Sequence, residues 1–200
     1  MRFLGWGHIF TANMTGNVVF LAFALVGKAD FSALRSSMAL IGFLLGAAAG
    51  GYAAQRLAPS PTNRWVSGAF AVDGAVLIAA AVVSSPLAGP NEANSIALFV
   101  VISMTAAAMG FRNATVRRLG VPDLTTTVLT MTITGMAADS SLADGNNPRW
   151  PRRICAVLTM FGGAIIGALL LKYSAAIALL LCGVISIGCA LAVLKREPEA

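Results

Sequence analysis

Seven long apolar stretches, with every proline of the chain lying outside them, constrain this 200-residue sequence more than any other feature. Segment A runs over Phe3–Gly27, B over Ser36–Ala54, C over Trp65–Ser85 and D over Ala93–Phe111. Segment E covers Leu124–Ala138, F Ile154–Leu171 and G Ser174–Leu194. A helix needs about 20 apolar residues to cross a hydrocarbon core of about 30 Å. A span free of proline keeps its hydrogen-bond ladder whole, which lipid demands. Charged residues make up 11% of the chain and apolar ones 58%. Soluble domains carry about 25% charged residues, so a water-soluble globule is excluded, and with it a disordered chain. The sequence predicts an all-α integral membrane protein with six to seven apolar segments. One transmembrane domain fills residues 1–200, with the lipid bilayer around it.

Segments A and E differ from the rest. Asp123 and Asp139 bracket E and leave it about 22 Å of helix, short of a crossing. Its hydroxyls include Thr126, Thr130 and Thr134, and A opens with Thr11, Asn13, Thr15 and Asn17. These are the marks of broken or re-entrant segments. An internal repeat relates the two. Thr15-Gly16 returns as Thr134-Gly135, Gly46-x-x-x-Gly50 returns as Gly163-x-x-x-Gly167, and Arg35 is matched by Arg152 and Arg153. Features in one order at nearly one offset predict two halves, about 1–88 and 93–194. This register expects a counterpart of D upstream of Met1.

Charge placement separates two topologies. If all seven segments cross, the 14 Lys and Arg residues divide evenly between the two faces. If A and E return to the face they entered, one face gains Arg56, Arg64, Arg112, Arg117, Arg118, Arg149, Arg152, Arg153, Lys195 and Arg196. Arg2, Lys28, Arg35 and Lys172 are left on the other. Only the second division obeys the positive-inside rule. With three true spans in each half the repeats are inverted, an arrangement of several transporter folds.

Two motifs carry a family resemblance. Phe10-Thr11-Ala12-Asn13-Met14-Thr15-Gly16-Asn17 resembles the signature of the YoaK family. So do Met109-Gly110-Phe111-Arg112-Asn113-Ala114, Val116-Arg117-Arg118-Leu119-Gly120 and Thr125-Thr126-Thr127-Val128-Leu129-Thr130. These are small bacterial inner-membrane proteins with a domain of unknown function. The resemblance covers nearly the whole chain and implies a multi-pass protein of the cytoplasmic membrane. It also implies a further span before Met1, and it supplies no substrate.

Candidate pathway residues follow from polarity inside apolar segments. Broken helices expose backbone and hydroxyl groups toward a solute or ion, which selects Thr11, Asn13, Thr15, Asn17, Thr126, Thr130 and Thr134. The same residues can serve as interhelical hydrogen bonds. Asp73 lies mid-segment, where a charge costs about 2.5–3.5 kcal/mol on insertion scales. Arg112 and Asn113 flank segment D. Arg112 is placed to bind an anion, to pair with Asp123, or to stand as an edge arginine. Gly42, Gly46 and Gly50, with Gly163 and Gly167, let helix backbones approach closely, within the chain or across a homodimer.

Other classes lose support. The net charge of +6 sits between apolar segments, which is the membrane pattern, so nucleic acid is not an expected partner. Cys155, Cys182 and Cys189 fit no zinc or redox spacing and read as buried apolar residues. A lone His8 makes neither a metal site nor a triad, and no cofactor or catalytic motif is present. The expected function is passage of a small solute or ion through a midplane site built by A and E, with no enzymatic activity. A non-transporting scaffold or accessory protein and an intramembrane enzyme are the alternatives. Single cysteines placed at Lys28 and Arg149 test the topology. Labelling from opposite membrane faces is expected if A and E return, and labelling from one shared face shows seven crossings.

Overall fold

The computed structural model describes residues 9–57, 62–85, 96–120 and 129–195. Every regular element among these is helical. Five are long: α2 (Ala33–Leu57), α3 (Thr62–Ser84), α4 (Ile96–Leu119), α6 (Trp150–Leu171) and α7 (Ala175–Leu194). Two are short: α1 (Met14–Leu25) and α5 (Leu129–Ala138). The five long helices are long and apolar enough to cross a membrane. At 12 and 10 residues, α1 and α5 reach only about 18 Å and 15 Å. Segment A is thus no continuous span. Asn13 ends its extended part and caps α1, accepting a hydrogen bond from Gly16 N at 3.2 Å.

The principal contacts run in one order: α1 on α2, α2 on α4, α4 on α3, α3 on α7, α7 on α6 and α6 on α5. The α2–α4 contact is a glycine interface. A Cβ on Gly42 would stand 2.8 Å from the Ser103 carbonyl oxygen, and one on Gly50 2.7 Å from that of Phe111. One on Gly46 would collide with the Ala107 carbonyl. In return, Gly110 of α4 admits the Phe43 carbonyl of α2. Only a missing side chain permits this backbone approach. The partners advance together along both chains, so α2 and α4 are parallel.

Helices α3 and α7 use the same device in antiparallel sense. A Cβ on Gly74 would lie 2.9 Å from the Gly183 carbonyl oxygen. Ser67 Oγ donates to the Ala190 carbonyl at 2.8 Å. The α6–α7 turn, residues 172–174, is too short for anything but an antiparallel pair. Asp73 of α3 meets Arg112 of α4, and Ala69 and Phe70 line a cleft with Thr115 and Leu119, so α3 and α4 are antiparallel and α4 and α6 point in opposite directions. The stretch from 120 to 149, with α5 inside it, therefore starts and finishes at one end of the bundle.

That end gathers Arg56, Arg64, Arg117, Arg118, Arg149, Arg152, Arg153 and Lys195, whereas Lys28, Arg35 and Lys172 mark the other. The outer faces are apolar: Leu44, Leu45, Phe161, Ile165 and Ile166 are all exposed, as suits contact with lipid tails. Cys155, Cys182 and Cys189 are exposed too, against the expectation that they are buried. The spacing of their helices turns them outward, and a thiol is apolar enough for lipid.

The two glycine pairs part company here. Gly163 and Gly167 meet no atom within 4 Å among the described residues, so the close packing expected of them is not formed there. A substitution pair separates the two settings. Gly46→Ala should cost about 1–3 kcal/mol by forcing α2 from α4, or about 2–4 °C of detergent melting temperature per kcal/mol. Gly163→Ala should match the parent or gain slightly from helix propensity.

Candidate functional site

Asp73 is the twelfth residue of α3 and is 1% exposed. A lone carboxylate at that depth would be driven to neutralise. Here it faces a counter-ion: Arg112 Nη2 of α4 donates to Asp73 Oδ2 in a short ion pair. The Ser186 hydroxyl of α7 lies 2.7 Å from the same oxygen and 3.0 Å from the Phe70 carbonyl, a donor shared between two acceptors. Three helices thus converge on one carboxylate oxygen. The other, Asp73 Oδ1, is buried without a hydrogen-bond partner among the described residues, and so is Arg112 Nε.

Segment D was expected to end at Phe111, with Arg112 and Asn113 flanking it. Instead α4 continues to Leu119 and carries both inside. The physical reason is Asp73, which neutralises a guanidinium that would otherwise have to reach water. Arg112 pairs with Asp73 in place of Asp123, which lies outside the described residues. Asn113 Nδ2 donates to the Met109 carbonyl at 2.7 Å, within its own helix.

A small cleft of about 20 Å³ adjoins the pair, lined by Ala69, Phe70, Asp73, Arg112, Thr115, Val116 and Leu119. Its lining runs from mid-helix to the last residue of α4, so it extends from the ion pair toward the basic end. The Arg112 side chain is 35% exposed. The walls are apolar except for the ion pair and Thr115, whose hydroxyl is turned to the Phe111 carbonyl at 3.0 Å. No group of three His, Cys, Asp or Glu side chains among the described residues could hold a metal ion.

The polar residues of segments A and E are not brought to this place. Asn17 is fully buried, but its amide is taken: Oδ1 accepts from Phe10 N at 2.9 Å and Nδ2 donates to Phe10 O at 2.5 Å. With the Phe10 ring stacked on Phe20 at 5.4 Å, this folds the chain before Asn13 back along α1. Asn13 and Thr15 are exposed and Thr11 is half-buried. In α5, Thr130 and Thr134 are exposed and Thr132 is the buried one. Thr126 and His8 lie outside the described residues.

Since α1 packs on α2 and α5 on α6, at opposite ends of the contact order, the short helices do not share a common lining. The reason is that the partners of α1 and α5 are their own neighbours in sequence. Arg153, read from sequence as a topology residue, instead anchors α5. Its Nη1 donates to the Gly135 carbonyl at 2.6 Å and to Asp139 Oδ2 at 2.7 Å.

Ser186 was not anticipated. Its one sequence signal is a hydroxyl inside an otherwise apolar span, and such a residue usually bonds its own helix.

Comparison with known proteins agrees with this architecture. The profile of DUF1275, described as a protein of unknown function, matches residues 1–192. The UPF0700 transmembrane protein YoaK of Bacillus subtilis (strain 168) is 32% identical over 143 residues, 70% of this chain. That alignment spans 59% of the relative's length. No solved structure matches the chain.

The ion pair makes a stability prediction. Asp73→Leu alone should destabilise the detergent-solubilised protein by about 3 kcal/mol, because it strands Arg112. Asp73→Leu with Arg112→Met should recover most of that loss. Denaturation midpoints of the parent, the two single variants and the double variant measure the coupling directly.

Proposed function

The chain belongs to the DUF1275 family of proteins of unknown function, and from that premise we propose a transporter or channel of the bacterial cytoplasmic membrane. It passes a small solute or ion through the cleft between α3 and α4. One observation carries the reading: the Asp73–Arg112 pair joins two apolar helices beside a small cleft, with one carboxylate oxygen and one guanidinium nitrogen unsatisfied among the described residues. A pair kept for packing alone is costly in lipid and often replaceable by apolar residues. Ionisable groups with unused bonding capacity, next to a cavity, are instead how membrane proteins meet a solute.

The positive-inside rule directs the basic end to the cytoplasm, so the cleft is the cytoplasmic approach to the site. The 120–149 stretch, with α5 in it, starts and finishes at that face, and α1 joins α2 at the other. This placement is consistent with two halves of inverted topology. The sequence shows no recognisable nucleophile–base pair, which counts against the alternative of an intramembrane enzyme. Against a pure scaffold stands the cost of holding a charged cluster and two broken segments in the bilayer.

Purified full chain in liposomes tests the reading. Uptake from a panel of radiolabelled small organic acids, amines, sugars and inorganic ions should exceed that of empty vesicles for at least one class. Arg112→Gln should reduce that uptake at least tenfold in protein that still elutes as a single species. No uptake of any class by the parent protein would leave the scaffold reading in its place.

A further inference from the structure

The state of the site restricts what it can bind. Asp73 and Arg112 together are neutral. A metal ion or ammonium joining them would leave a net positive charge in the bilayer, and an anion alone a net negative one. Either carries the several-kcal/mol desolvation cost of an uncompensated ion. A proton and an anion arriving together leave the site neutral.

The geometry provides a place for each. Asp73 Oδ1 is buried and unbonded, so a proton can settle there without displacing a protein donor. Arg112 Nε is likewise unpartnered, and its partly exposed side chain lines the cleft. A guanidinium offers a planar fork that matches a carboxylate. The walls beside it are Ala69, Phe70, Val116 and Leu119, which suit an apolar tail.

We propose that the site binds a small monocarboxylate with an apolar body, one anion together with one proton. This rests on the site assigned above. Asp73 takes the proton on Oδ1 from the cytoplasmic water of the cleft. The ion pair to Arg112 loosens, and the guanidinium turns its Nε edge to the incoming carboxylate. Arg112 stays charged throughout, no covalent bond other than O–H is made, and release of the acid restores the pair.

The groups facing Asp73 are Arg112 from α4 and the Ser186 hydroxyl from α7; the outward-turned Cys182 thiol of α7 is near enough to feel both charges. Helix α3 has no other ionisable residue than Arg64 near its start. Those of α2, which touches α3 lightly, are Arg35, Tyr52 and Arg56, and none pairs with Asp73. The basic end, with Arg117 and Arg118 at the close of α4, raises the local concentration of anions at the mouth.

Benzoate is a suitable probe. Calorimetric titration of the detergent-solubilised full chain near neutral pH, in two buffers of different ionisation heat, gives affinity and proton count together. The expected result is uptake of about one proton per benzoate, with binding tightening as pH falls. Arg112→Gln should weaken binding at least tenfold, as loss of a charge-assisted hydrogen bond does. Asp73→Asn, which imitates the protonated acid, should bind benzoate with no proton uptake and little pH dependence.

The proposal is overturned if the parent protein binds benzoate without taking up a proton, or binds methylammonium instead. It is equally overturned if benzoate does not bind at any pH. The parent's proton count needs no variant to fold. Proton-linked benzoate binding without flux in vesicles would uphold this inference and sink transport. Flux of another solute without benzoate binding would do the reverse.

Discussion

A carboxylate and a guanidinium meet between two apolar helices, where the carboxylate is shut away from solvent. Everything around them answers to that fact. Arg112 can lie seven residues inside α4 only because Asp73 reaches it from α3. Asp73 can lie mid-helix only because Arg112 and Ser186 take one of its oxygens. Desolvation makes each intolerable alone. The contact therefore ties three helices together, and it is left incomplete at Oδ1 and Nε, where a cleft begins.

Glycines decide whether those helices come near enough. At the α2–α4 and α3–α7 seams, carbonyl oxygens occupy space that a Cβ would need. In lipid no hydrophobic force draws helices together, so close van der Waals approach and interhelical hydrogen bonds must do so. The seams hold α4 and α7 in place, and α3 between them, with Ser67–Ala190 and Ser186–Phe70 hydrogen bonds across the second. Outside this core, α6 turns Gly163 and Gly167 to open space. The same glycine spacing thus serves two different surroundings.

The short helices show a different economy. Asn17 stood out in the sequence as a buried amide in search of a ligand, and its ligand is the backbone of Phe10. Extended chain inside a bundle leaves N–H and C=O groups unpaired, and one side-chain amide satisfies both groups of a residue. At the far end Arg153 does comparable work for α5, taking the Gly135 carbonyl and Asp139. Polar residues in broken segments were legible as unusual. Whether they serve a solute or the chain itself depended on what lay across from them.

Lipid as the surroundings, the helical class and the approximate place of the long helices could be read from the residues alone, because bilayer thickness and proline placement act along the chain. Its basic residues also foreshadowed the charged end of the bundle. It marked Asp73 and Arg112 as exceptions, since a charge in an apolar stretch is visible without any partner. That these two neutralise each other across 39 residues, and that Ser186 joins them from 113 residues away, is visible in the packed helices alone. Only that packing set α4 against α6 in direction. Pairing is a relation between helices, fixed by where carbonyls and glycines can approach, and no single segment carries that information.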